Sequence, residues 1–103
     1  MSILRLTWGK LRLGAWDQFE SMHKNSVAPT VKTVKGLELR ELLRSTEDPD
    51  EGISVTLWET EEDMINYEKG ELTQTITKEA EPLYRGEYWV KKFNYDPSKI
   101  LRS

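Results

Sequence analysis

The hydrophobic period of this chain switches repeatedly between that of a strand and that of a helix, and this succession limits its fold more than any other feature. From Ile3 to Lys10, Leu4, Leu6 and Trp8 alternate with Ile3, Arg5 and Thr7, which is the period of a strand. Leu11 to Gly14 makes a connection. From Ala15 onward, Phe19, Met22, Val27, Val31 and Val34 recur at helical spacing. Pro29 lacks an N–H, which predicts a kink or break just before it, and Gly36 is expected to cap the helix. Leu37 to Arg44 alternates again, Ser45 to Gly52 is a polar connection, and Ile53 to Trp58 is β-branched and alternating. An antiparallel hairpin follows from that pair. Thr60-Glu61-Glu62-Asp63 resembles a capping box whose acidic first turn suits the positive end of a helix dipole, and Met64 and Tyr67 give this helix an apolar side. Gly70 interrupts it, and Leu72, Ile76, Ala80 and Leu83 predict a second helical piece ending near Pro82. Gly86 to Tyr95 reads as the last strand and Asp96 to Ser103 as a polar tail.

The order is therefore β-α-β-β-α-β with the second helix in two pieces. It defines an α+β, ferredoxin-like fold: a four-stranded antiparallel sheet with helices on one face. One domain is expected over residues 1–103, with its core in 3–95 and the tail at 96–103. The face carrying Leu4, Leu6, Ile53, Val55 and Leu57 is expected to lie under the helices. The opposite face mixes Arg5, Thr7, Arg40, Leu42, Thr56, Trp58, Tyr88 and Val90, and large apolar side chains on an open sheet face mark an interaction surface. A homodimer packed sheet to sheet, with a partly wet interface, is the expectation.

Composition removes several classes of function. No Cys is present, so disulfides, thiol nucleophiles and thiolate metal sites are excluded, and one His, His23, cannot build a multi-histidine cage. With 15 Lys+Arg against 18 Asp+Glu the net charge is -3, which argues against nucleic acid. The RNA-recognition module shares the element order, but its third strand should carry base-stacking aromatics, and Gly52 to Trp58 does not. No apolar run reaches the length of a membrane span. Met1 to Leu6 lacks the apolar stretch and cleavage site of a signal peptide, so a cytoplasmic protein is expected. The acidic run Glu47-Asp48-Pro49-Asp50-Glu51 lacks the ligand spacing of a calcium loop and reads as a solvated hairpin connection. Glu59, Glu61, Glu62 and Asp63 read as helix N-terminal chemistry, so no metal is expected.

The stretches ILRLTWGKLRLGAWDQFE, VKGLELRELLRS and GISVTLWETEEDMINYEKGE resemble the antibiotic biosynthesis monooxygenase (ABM) family of dimeric α+β barrels. The most telling segment is Leu57-Trp58-Glu59 followed at once by Thr60 to Met64 and Tyr67. The resemblance spans about Ile3 to Tyr95. It implies a pocket between sheet and helices near the broken second helix, and oxidation of phenols, quinols or anthrones by molecular oxygen without metal or flavin. A haem-degrading branch of the family carries Asn on the first strand, Trp at the end of the first piece of helix two, and His farther along. Here those places hold Leu6-Thr7-Trp8, Tyr67, and a segment from Leu72 to Glu81 without His, so the residues of that mechanism are missing.

Cofactor-free oxygenation needs a base to make an electron-rich anion, and donors to hold the developing charge. His23 is the one side chain whose ordinary pKa suits a base near neutrality, and it sits at the edge of the apolar side of helix one. Tyr67 and its neighbour Asn66 are the candidate donors, although adjacent helical residues need not face one pocket. Trp8, Trp89 and Thr7 are the candidate ligand contacts, and Trp16 is expected as a surface or dimer contact. Packing roles for His23, Tyr67 and the tryptophans compete with these functional ones. A homodimer of the same fold that binds a small hydrophobic ligand, or serves a stress-associated role, without turnover is the alternative.

Overall fold

The computed structural model describes residues 2–103. Four strands, β1 (Ser2–Leu11), β2 (Leu37–Arg44), β3 (Glu51–Trp58) and β4 (Tyr84–Tyr95), form one sheet in the order β2-β3-β1-β4. All three pairings are antiparallel. Helix α1 (Trp16–Met22) lies between β1 and β2, and α2 (Glu61–Lys69) with α3 (Glu71–Ala80) between β3 and β4. This is the ferredoxin-like arrangement expected from the sequence. Among the described residues no helix is long and apolar enough to cross a membrane.

The helices lie on the other face of the sheet from the one expected. The register aligns Ile3 with Trp58, Arg5 with Thr56 and Thr7 with Ser54, and Leu37 with Trp58 and Arg40 with Thr56. These side chains point toward the helices: Ile3, Leu37, Trp58 and Met64 of α2 make one buried cluster. Leu4, Leu6, Ile53, Val55 and Leu57 point away, together with Trp8, Trp89 and Phe93. The reason is physical. An alternating strand specifies two faces but not which of them a helix covers. Here the more apolar face is left open.

The core is also divided. A second buried cluster, Leu11, Trp16, Phe19 and Ala80, packs at the opposite end of the strands. Trp16, expected at the surface, is 3% exposed and belongs to this cluster. Between the clusters the helix-facing side of the sheet carries Arg5, Thr7, Arg40, Ser54 and Thr56. Polar groups at its centre keep the helices from closing on the sheet there.

Local signals explain the breaks. The chain leaves α geometry at His23, through a π-helical turn (His23–Val27) and a 3-10 turn (Ala28–Lys32) with Pro29 in its first positions. The break thus precedes the proline by more than expected. Gly36, at φ 79°, serves the turn into β2 rather than capping the helix. Thr60 caps α2 by accepting from the Asp63 N–H at 3.1 Å, as its sequence indicates. Gly70, in an extended conformation, ends α2 and begins α3, and the Thr73 hydroxyl ties the junction by donating to the Tyr67 carbonyl. A bulge between Leu37 and Leu39 reverses the facing within β2, so Leu37 is buried while Leu39 is open. The acidic connection is more than a solvated loop: Asp50 is 4% exposed and its carboxylate accepts from the Gly14 N–H at 3.1 Å.

A candidate active-site cavity between sheet and helices

The gap between the two core clusters is a cavity of about 780 Å³. Its floor is the polar centre of the sheet, including Arg5, Thr7, Arg40 and Thr56, and its roof comes from α1, the π-helical turn, α2 and α3. Phe19, Tyr84 and Tyr88 form an aromatic wall. The Phe19 and Tyr84 rings meet edge to face at 5.8 Å, and Tyr84 and Tyr88 lie 5.9 Å apart. Such a mixture of aromatic surface and a few placed polar groups suits a small planar ligand.

His23 and Tyr67 both line this cavity, His23 from the start of the π-helical turn and Tyr67 from α2. His23 is 9% exposed, and its Nε2 is buried without a hydrogen-bond partner. Burial, and then the Arg40 guanidinium, push its pKa below the ordinary 6.5, against an opposing pull from Glu20. The imidazole is therefore neutral near pH 7 and has a lone pair to offer. The Tyr67 hydroxyl accepts from Arg40 Nη2 at 2.9 Å, which leaves its own proton to donate. Its ring packs on Trp58 at 5.1 Å, fixing its direction.

Thr7 also lines the cavity, where its hydroxyl accepts from Arg5 Nη1 at 3.1 Å. The other expected site residues lie elsewhere. Asn66 is exposed on α2 and does not line the cavity, because one helical step turns it away from the side that Tyr67 occupies. Trp8 and Trp89 stack on each other at 5.8 Å on the open face of the sheet, with Trp8 Nε1 donating to Glu51 at 2.7 Å. Their expected place beside a ligand follows the face assignment and is corrected with it.

Arg40 is the residue that sequence reasoning missed as a site group. The alternation of the strand groups it with Leu42 on the face expected to lie away from the helices, where a charged side chain gives no signal of a site. Arg40 Nε, like His23 Nε2, is buried without a partner. Buried polar atoms are nearly always satisfied, and leaving one unmade costs about 1–3 kcal/mol. Two such atoms on residues lining one cavity mark where a ligand's polar group belongs. Among the described residues no group of three or more His, Asp or Glu side chains is placed to hold a metal ion.

The fold and the cavity define a ferredoxin-like α+β protein with a cavity between sheet and helices. A family model for antibiotic biosynthesis monooxygenases matches residues 10–79, and the chain belongs to that family. No curated protein matches the sequence. Solved structures share the fold at low identity. SnoaB, a cofactor-independent oxygenase from Streptomyces nogalater, is 14% identical with a TM-score of 0.79, over 91% of this chain and 92% of that one. A conserved protein from Methanosarcina mazei is 11% identical with a TM-score of 0.82, over 93% and 94% of the two chains. The Rv0793 protein of Mycobacterium tuberculosis is 10% identical with a TM-score of 0.79, over 97% and 100%.

Proposed function

We propose that this protein is a cytoplasmic, homodimeric, cofactor-independent monooxygenase that oxidises a small aromatic or quinoid substrate with molecular oxygen. The observation that carries this reading is the neutral, unpartnered imidazole of His23 on the wall of a cavity with an aromatic side. Family membership supports it, and so does the printed activity of SnoaB. His23 takes a proton from an acidic C–H or O–H of the substrate. Tyr67 donates to the oxygen on which negative charge develops, and Thr7 contacts the ring. For a substrate methylene of the anthrone type, the carbanion adds to oxygen, and the resulting hydroperoxide loses water to give a carbonyl. The balance is CH2 plus O2 to C=O plus H2O, with carbon as the reductant.

The dimer forms through the open sheet face. Leu39, Leu43 and Phe93 on that face are 43%, 44% and 49% exposed, an apolar surface that a second copy covers. The second reading is a ligand-binding homodimer without turnover, which needs the cavity and its unpartnered polar atoms but no proton transfer.

The test is oxygen uptake by metal-stripped protein against anthrones, quinols and catechols. Uptake should require the protein and fall about a hundredfold or more in His23→Ala. Ligand binding without uptake anywhere in the panel supports the second reading.

A further inference from the structure

The charge on the cavity is opposite in sign to that of the chain. The protein has a net charge of -3, with six Arg and nine Lys among its 15 basic residues. Four of those arginines, Arg5, Arg12, Arg40 and Arg85, line the cavity, no lysine does, and Glu81 is the one carboxylate among the lining residues. Planar guanidinium groups, rather than ammonium groups, are the side chains suited to fork-like recognition of an oxyanion.

Two of the four have carboxylate partners within the protein. Arg5 Nε pairs with Glu68 at 2.8 Å, and Arg85 lies 3.7 Å from Asp48. Arg12 and Arg40 have no carboxylate partner among the described residues. Arg12 is exposed at the end of β1, where water solvates it. Arg40 is half-buried and has a buried Nε with no acceptor, beside a His23 Nε2 in the same condition. Arg40 donates to the Tyr67 hydroxyl, but a partly buried guanidinium with an unsatisfied N–H and no counter-ion favours a negatively charged ligand.

We infer that the cavity takes an aromatic carboxylate, with its ring against Phe19, Tyr84 and Tyr88 and its carboxylate at Arg40. This deepens the oxygenase reading, and rests on it for the aromatic character of the ligand. The carboxylate satisfies Arg40 Nε and neutralises the guanidinium. Of the charged groups that act on His23, Arg40 opposes protonation and Glu20 favours it. Seating an anion on Arg40 therefore raises the basicity of the imidazole only when the ligand is in place.

Titration calorimetry of the full chain with 2-naphthoate and with 2-naphthylmethanol tests this, because the two share a ring system and differ in charge. Naphthoate should bind at least about tenfold more tightly, as expected for charge-assisted hydrogen bonds. Arg40→Met should bring the two ligands to within about twofold of each other, whereas Arg102→Gln, in the tail, should leave the preference unchanged. If Arg40→Met does not fold, Arg40→Lys keeps the charge without the fork and should lose several-fold in naphthoate affinity. Equal binding of the two ligands by the wild type, or an undiminished preference in the Arg40 variants, overturns the inference. Anion preference without oxygen uptake rejects the oxygenase reading and leaves this one standing. Uptake with neutral anthrones and no anion preference does the reverse.

Discussion

Arg40 Nη2 donates to the Tyr67 hydroxyl at 2.9 Å, with the guanidinium carbon 5.6 Å from the centre of the Tyr67 ring. The contact joins the edge strand β2 in the floor of the cavity to α2 in its roof, so one pair of residues both closes the fold and shapes the site. Tyr67→Phe keeps the ring packed on Trp58 and removes only the hydroxyl. It should cost about 1.5–3 kcal/mol in urea denaturation, the range for a hydrogen bond to a charged group. Turnover should fall about a hundredfold or more, since a donor to the developing oxyanion is lost.

The His23 environment sets a pH dependence with a defined sign. Its pKa is lowered on folding by burial and by Arg40, so the unfolded chain binds the proton more readily. The stability tied to neutral His23 is complete above the ordinary value of 6.5 and is lost as the pH falls from 6.5 through the lower folded-state value. Urea midpoints should decline as the pH falls below about 6.5, and His23→Gln should flatten that decline. For Glu68, desolvation opposes ionisation, but hydrogen bonds and attraction from Arg5 and Lys92 outweigh it and hold its pKa below 4.5.

How much could be read without coordinates differs from feature to feature. The strands and the split second helix were legible because Ile53 to Trp58 alternates and Thr60 and Gly70 punctuate the helices. Which face the helices cover was not, because Leu4, Leu6, Ile53, Val55 and Leu57 are the more apolar set and apolarity alone assigns them to the core. In the structure Arg5, Thr7, Arg40 and Thr56 lie beneath the helices and line the cavity, and the bulge after Leu37 brings Arg40 onto that face. His23, Tyr67 and Thr7 reach the cavity, whereas Asn66, Trp8 and Trp89 do not, the tryptophans because they follow the face assignment.

The open face leads to a prediction about assembly. Leu6 is aligned with Val55 on β3 and Lys91 on β4, at the centre of the uncovered surface. Leu6→Glu should leave the monomer folded, as judged by circular dichroism, and shift sedimentation from twice the chain mass to the 12.1 kDa monomer. The stacked Trp8 and Trp89 on that face should then become accessible to acrylamide quenching. A wild-type protein that sediments as a monomer at micromolar concentration contradicts the dimer.

Gly9 is a steric requirement of the cavity wall. A Cβ at this position would overlap the Tyr84 ring, which is boxed in by Phe19 on its other side. Gly9→Ala should cost about 1–3 kcal/mol through overpacking. It should also weaken aromatic ligand binding by displacing Tyr84. Unchanged stability and affinity contradict this packing.

The proposed oxygenation with His23 as base is open to a test with labelled oxygen. An anthrone that supports uptake is converted under 18O2 by metal-stripped wild-type protein and by His23→Ala, and the product carbonyl is analysed by mass spectrometry. Each product molecule should carry one 18O atom, and the rate should be about a hundredfold lower in the variant. Product oxygen drawn from water, or equal rates in the two proteins, would contradict the proposal.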